Sequence, residues 1–143
     1  MYNYYMVRSY QDTDYDMVKT LYEHTEWYGG SFDERRDGRE ALKRKIAADP
    51  EAIFVFEQDG QLLGTISIIE DGRVAWLYRF VDRDNNPDVA KALYGAATDV
   101  LRARGHQEVL VYSDPSRPEI AERYKALGMV AGGEYTCFYS SLN

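Results

Sequence analysis

The sequence predicts a mixed α/β fold, and three observations carry that expectation. Apolar runs of strand length recur at 52–57, 62–69 and 74–81, with Asp-Gly turns between them. Amphipathic patterns of 3.6-residue period lie on either side of this group. Between them, Arg73 to Gly105 (RVAWLYRFVDRDNNPDVAKALYGAATDVLRARG) passes from strand through a polar turn into a well-patterned helix. A meander followed by a helix that crosses to another strand is not the alternation of a Rossmann sheet.

Each element has its own signal. Met6 to Tyr10 reads as a first strand. Thr13 with Asp16 has capping-box spacing, and Met17, Val18, Leu21 and Tyr22 then share one helical face. The segment Glu26 to Glu34 holds Gly29, Gly30 and three aromatics and reads as a loop or a broken helix. A helix over Arg39 to Ala48 is stopped by Asp49-Pro50. Strands Ala52–Glu57 and Leu62–Ile69 flank a hairpin centred on Asp59-Gly60. Asp71-Gly72 turns the chain into the strand Val74–Val81.

The central helix carries Val89, Leu93, Ala96, Ala97, Val100 and Leu101 on one face, with Pro87 in its first turn and Gly105 at its C′ position. A strand follows at Glu108–Tyr112. Ser116 with Glu119 then caps a helix that carries Ile120, Tyr124 and Leu127 on one face and ends at Gly128. Tyr135–Leu142 supplies a last strand, and Met129–Ala131 is a candidate seventh. The expectation is six to seven strands and about four helices on both sides of a sheet, all in one domain spanning residues 1–143.

Composition narrows the function. The charge of −7 argues against a nucleic-acid partner and weakly favours cationic or amine ligands. No apolar run reaches the roughly 20 residues that span a bilayer, so no membrane role is expected. The opening MYNYYMVRSY lacks the basic and apolar blocks of a signal peptide, which leaves a cytoplasmic protein as the expectation. One cysteine, Cys137, excludes an internal disulfide, and two histidines give no metal-ligand spacing.

With both halves in view, the sequence resembles the GCN5-related N-acetyltransferase (GNAT) superfamily over essentially its whole length. VRSYQDTDYDMVKTLYE looks like the family's opening strand and helix. GQLLGTISII followed by VAWLYRFV looks like its central meander. ERYKALGM resembles the closing Tyr-x-x-Leu-Gly-Phe signature, with Met129 in place of Phe. The resemblance implies a mostly antiparallel central sheet and transfer of an acyl group from acetyl-CoA to an amine, borne by a small molecule, a peptide or a protein. It implies no metal, and it leaves a homodimer open.

The family's phosphate turn, Gln/Arg-x-x-Gly-x-Gly/Ala, falls here on Asn85-Asn86-Pro87-Asp88-Val89-Ala90. Only Ala90 fits; Asn85 stands for the Arg or Gln and Asp88 for a glycine. By resemblance, Phe80, Val81, Arg83, Asn85, Asn86, Asp88, Val89, Ala90 and Lys91 are the cofactor-side residues. Asn, Pro and Asp would equally begin any helix. Tyr124 falls where the family often protonates the departing thiolate, and a phenol, with an unperturbed pKa of about 10, is protonated at neutral pH. Its other reading is a core tyrosine. Trp27, Tyr28 and Phe32 fall where the family usually builds its acceptor pocket, and an aromatic cluster can hold an amine by cation–π contact. No general base stands out among Glu23, His24, Arg79 and Glu108. The degenerate turn keeps a second reading in view: a catalytically inactive GNAT-like binding module.

Overall fold

The structure is a computed structural model and describes residues 4–24 and 30–143. Four strands form one antiparallel sheet in chain order: β1 (Tyr5–Ser9), β2 (Ile53–Gln58), β3 (Gln61–Glu70) and β4 (Ala75–Asp82). Helices α1 (Tyr15–His24), α2 (Glu34–Asp37) and α3 (Arg39–Ala48) precede β2. Helices α4 (Pro87–Ala103) and α5 (Pro118–Ala126) follow β4.

The β2–β3 hairpin shows how local chemistry sets register. Asp59 and Gly60 have φ of 51° and 77°, and Gln58 pairs directly with Gln61. A two-residue loop with both central residues at positive φ matches the right-handed twist of its strands. Gly105 (φ 89°) and Gly128 (φ 91°) end α4 and α5 as the sequence indicated.

Two apolar clusters sit on opposite faces of the sheet. Val18, Leu21 and Tyr22 of α1 and Leu42 of α3 pack with Ile53, Val55, Leu62 and Val81. Val89, Leu93, Ala97 and Leu101 of α4 and Ile120 of α5 pack with Phe56, Ile66, Ile68, Leu77 and Phe80. A register shift after Phe56 leaves Leu63 as an extra residue on β3, since Phe56 faces Gly64 while Glu57 faces Leu62. Alternation has period two, so a single added residue sends Leu62 to one face and Ile66 and Ile68 to the other.

Some expectations are corrected. Among the described residues the sheet has four strands, not six to seven. Glu108–Tyr112 contributes one parallel bridge, Trp76 with Leu110, through Leu77 N–H to Leu110 O at 2.9 Å and Leu110 N–H to Ala75 O at 3.0 Å. Beyond it the chain leaves β4, and Asp114 Oδ1 accepts the N–H and Oγ–H of Ser116 to form a turn. Met129–Ala131 and Tyr135–Leu142 form no strand, because no neighbouring segment lies alongside to complete a ladder among the described residues. Arg117, not Ser116, stands at the N-cap position of α5. The carboxylate that reaches back at the start of the first helical segment is Asp14, not Asp16: it accepts the Gln11 N–H at 2.8 Å and holds Arg8. The short helix α2 lies just past the segment that reads as a loop.

Gly64 fixes the distance between α4 and the sheet. A Cβ there would lie 2.7 Å from Val81 O, 2.7 Å from Val89 Cγ1 and 2.9 Å from Leu93 Cδ1. The helix packs directly on strand backbone. Gly64→Ala should therefore lower the unfolding free energy by about 1–3 kcal/mol through overpacking. Denaturant titration measures it, and an unchanged midpoint would mean that α4 retreats freely.

Candidate functional site

The site is built around an irregularity in β4. Thr65 pairs with Val81 and Ser67 with Tyr78, so Arg79 and Phe80 together oppose Ile66. This two-to-one arrangement is a bulge, and Arg79 adopts a φ of 47°, rare for a residue with a long side chain. Such strain persists only where the surroundings hold it. Here they do. Arg79 is fully buried and Asp37 is 1% exposed. The guanidinium donates to Asp37 Oδ2 at 2.6 Å and Oδ1 at 3.2 Å, to Gly30 O at 2.7 Å and to Ser31 O at 3.2 Å. Asp37 also accepts the Tyr78 hydroxyl at 3.1 Å and the Asp33 N–H at 3.0 Å. The ring of buried Tyr22 lies 5.2 Å from the guanidinium carbon. Burial pushes the Asp37 carboxyl up, but the Arg79 and backbone hydrogen bonds outweigh it and hold it below the usual carboxylate range.

Beyond the bulge, Asp82 ends β4 and meets Arg123 Nη2 at 2.5 Å, both groups nearly inaccessible. Burial raises the Asp82 carboxyl above its ordinary range, against the pull of Arg123. The Arg123 guanidinium also stacks 4.1 Å from the Phe80 ring. The next residue, Tyr124, is 6% exposed, and its ring lies 6.4 Å from that of Phe80. The bulge, the strand end and α5 are thus bound through Phe80, Asp82 and Arg123.

The turn into α4 is a 3-10 segment, Arg83–Asn85, in which Asp84 (φ 61°) and Asn85 (φ 53°) are both left-handed. Asn86 caps the helix, its Oδ1 accepting the N–H groups of Asp88 at 3.0 Å and Val89 at 3.4 Å. Arg83, Asn85, Asp88 and Lys91 are exposed, while Val81, Val89 and Ala90 are core residues. Arg83 and Asn85 line a cavity of about 750 Å³ together with Asp16, His24, Asp82 and Asp84. Tyr124 lines a different groove, of about 320 Å³, with Trp76, Tyr112 and Met129. The structure therefore brings Phe80 and Tyr124 together but sets the turn and Tyr124 in separate cavities.

On the opposite side, Phe32 is half-buried against the first cluster, with Lys19 Nζ 5.5 Å from its ring. Trp27 and Tyr28 lie outside the described residues. Among the described residues no group of three or more His, Cys, Asp and Glu side chains could hold a metal ion, and no helix is long and apolar enough to cross a membrane.

No family model matches the sequence, and no curated protein does. Solved structures match the fold across nearly the whole chain. The aminoglycoside N-acetyltransferase AAC(6')-Iy, solved in complex with CoA, is similar with a TM-score of 0.75 and 20% identity over 100% of this chain and 98% of that one. Ard1 from Thermoplasma volcanium gives 0.74 and 17%, covering 90% of this chain and 84% of that one. Glucosamine-6-phosphate N-acetyltransferase from Arabidopsis thaliana gives 0.67 and 13%, covering 96% and 99%. The chain has the GNAT fold. Against that GNAT frame, the bulged β4, the turn at 83–86 and α5 are the elements to weigh as a site.

The Arg79–Asp37 pair was not picked out by sequence reasoning. A signal for half of it exists: a lone arginine inside VAWLYRFV, bounded by apolar residues, must find a buried acid. Its partner could not be chosen from FDERRDGRE, where acids and bases alternate.

Breaking this pair leaves an uncompensated buried charge, which costs about 3–5 kcal/mol. Arg79→Met and Asp37→Leu should each destabilise by that order, and the double variant by less than the sum. The pH dependence follows the depressed Asp37 carboxyl. Its stabilising contribution is complete above the unfolded value of about 3.9 and fades as pH falls through the folded one. The stability gap between wild type and Asp37→Asn should therefore shrink on acidification below about pH 4. A gap constant with pH would remove the ionised carboxylate from the account.

Proposed function

We propose that the protein is an acyltransferase that moves an acetyl group from acetyl-CoA to an amine. The observation that carries this reading is the β4 bulge at Arg79–Phe80, past the Leu77 N–H to Leu110 O bond where pairing with the 108–112 segment stops among the described residues, with Tyr124 stacked on Phe80. A bulge frees main-chain hydrogen-bonding groups that a regular ladder would consume. A parting pair of edges is a place where an extended thioester arm can pair with strand backbone. The likeness in fold to acetyltransferases supports the same reading.

In this reading the acyl thioester lies along Phe80 and Val81. The neutral amine attacks the thioester carbonyl carbon, and a backbone N–H of the bulged strand near Val81 stabilises the oxyanion. The C–S bond then breaks, the sulfur leaves as thiolate, and the Tyr124 hydroxyl gives it a proton, regaining one from water. The amine's surplus proton passes to water. The pyrophosphate lies by the turn, near Arg83, Asn85, Asn86 and Asp88, with Lys91 one turn along α4. Val89 and Ala90 act from the core by holding the helix start. Phe32, with Trp27 and Tyr28 from the preceding segment, belongs to the acceptor side.

One observation favours the second reading, a binding module without catalysis. Asn86 Oδ1 already accepts the N–H groups of Asp88 and Val89. A phosphate at this helix start must compete with that cap.

Calorimetric titration with acetyl-CoA separates the readings: saturable micromolar binding is expected, and none at millimolar concentration supports the module. With a turned-over amine in hand, Tyr124→Phe should lower kcat more than tenfold while leaving acetyl-CoA affinity nearly unchanged. Unchanged turnover would return Tyr124 to a packing role.

A further inference from the structure

Ile53, Ser67 and Tyr78 stand side by side across β2, β3 and β4, since Ser67 pairs with Ile53 on one strand and with Tyr78 on the other. Neighbours in such a row share one sheet face. Between two bulky side chains the small serine leaves a gap. Tyr22 of α1, Arg36 of α2, and Leu42 and Lys45 of α3 close over it and leave a cavity of about 280 Å³. It shares no lining residue with the cavity beside the turn or with the Tyr124 groove.

The lining changes character from floor to mouth. Tyr22 is fully buried, and among the described residues its hydroxyl makes no well-formed hydrogen bond; its polar neighbour is the buried Ser67. A buried hydroxyl in this state is costly, and one at a cavity wall is served by whatever enters. Leu42 and Ile53 are buried and apolar. The charges at the mouth, Arg36 and Lys45, are both cations and both exposed, on a chain whose net charge is −7. Their acidic neighbours are engaged elsewhere. Asp37, 3.3 Å from Arg36, holds Arg79 at 2.6 Å. Asp49, which feels the charge of Lys45, accepts two hydrogen bonds from Arg104 at 2.8 and 2.9 Å.

We infer that this cavity binds a small carboxylic acid whose apolar body carries one hydrogen-bonding oxygen. The carboxylate lies at the mouth between Arg36 and Lys45, the body lies against Leu42 and Ile53, and the oxygen reaches the hydroxyls of Tyr22 and Ser67. Three points choose this class. A cationic ligand would add a like charge to the two at the mouth. A wholly apolar one would leave the Tyr22 hydroxyl unserved. The volume falls at the lower end of ligand sites, so it admits a single ring or a short chain and excludes a nucleotide. Asp37 and Tyr78 line the same cavity, so the site abuts the network that holds the β4 bulge. The inference does not depend on acyl transfer.

Calorimetric titration of the full chain with 4-hydroxybenzoate at low salt tests it. The expected Kd is about 1 mM or below, ordinary for so small a ligand. The uncharged 4-hydroxybenzyl alcohol should bind about tenfold more weakly. Tyr22→Phe should weaken 4-hydroxybenzoate about three- to tenfold and leave benzoate unchanged, because only the hydroxyl contact is lost. Ser67→Leu fills the gap and should abolish binding of both acids while circular dichroism stays native. Lys45→Glu changes the mouth without touching the core and should weaken both acids about tenfold. Absence of saturable binding up to the solubility limit of 4-hydroxybenzoate overturns the inference. So does an alcohol that binds as well as the acid, or a preference for 4-hydroxybenzoate over benzoate that survives in Tyr22→Phe. Binding unchanged in Lys45→Glu overturns it as well, since the acid would then sit elsewhere. If Ser67→Leu does not fold, Lys45→Glu decides the location alone.

Discussion

The Arg79–Asp37 ion pair is the contact on which the arrangement of the site depends. Burying two charges is costly, and their attraction recovers that cost only when the remaining donors and acceptors are also served. The guanidinium has four donated bonds and the carboxylate accepts from Tyr78 and Asp33 besides. The pair joins sequence positions 42 apart, tying the segment before α3 to the middle of β4. It also explains a backbone that would otherwise be unfavourable. A φ of 47° at Arg79 turns the side chain toward Asp37, and the bulge follows. Loss of the pair would release both the strand geometry and the loop carbonyls at Gly30 and Ser31.

A second buried pair, Asp82 with Arg123, repeats the device three residues further along β4. Together the two pairs clamp β4 from opposite sides: α2 holds its middle and α5 holds its end. The segment between them, Phe80 and Val81, is the part of the strand that the acyltransfer reading uses.

Much of the fold was legible because it is written in short-range chemistry. Helix α3 was bounded by Asp49-Pro50, the β2–β3 hairpin by Asp59-Gly60 and the ends of α4 and α5 by Gly105 and Gly128. What failed was non-local. Tyr135–Leu142 has strand composition, but a strand exists only beside a neighbour, and composition does not say where one lies. Of the candidate site, only the placement of the named residues can be compared with the sequence. Tyr124 and Phe80 do meet, yet the turn at 83–86 faces another cavity, and the capping of Asp88 and Val89 by Asn86 depends on rotamer and backbone angles that no motif encodes. Asp37 was hidden among equivalent charges and is distinguished only by burial.

The absence of a side chain at Gly64 has a consequence for positional accuracy. When a helix rests on side chains, its seat inherits their rotameric slack, and ordering them costs entropy. Val89 and Leu93 rest instead on main chain, which has no rotamers to choose among. The same strand residue lies against Val81 O, so β4 and the first turn of α4 share one reference surface. The four residues that connect them, 83–86, are thereby suspended between two fixed ends. The left-handed angles of Asp84 and Asn85 are a matter of geometry, the way a short chain must bend to join points already set.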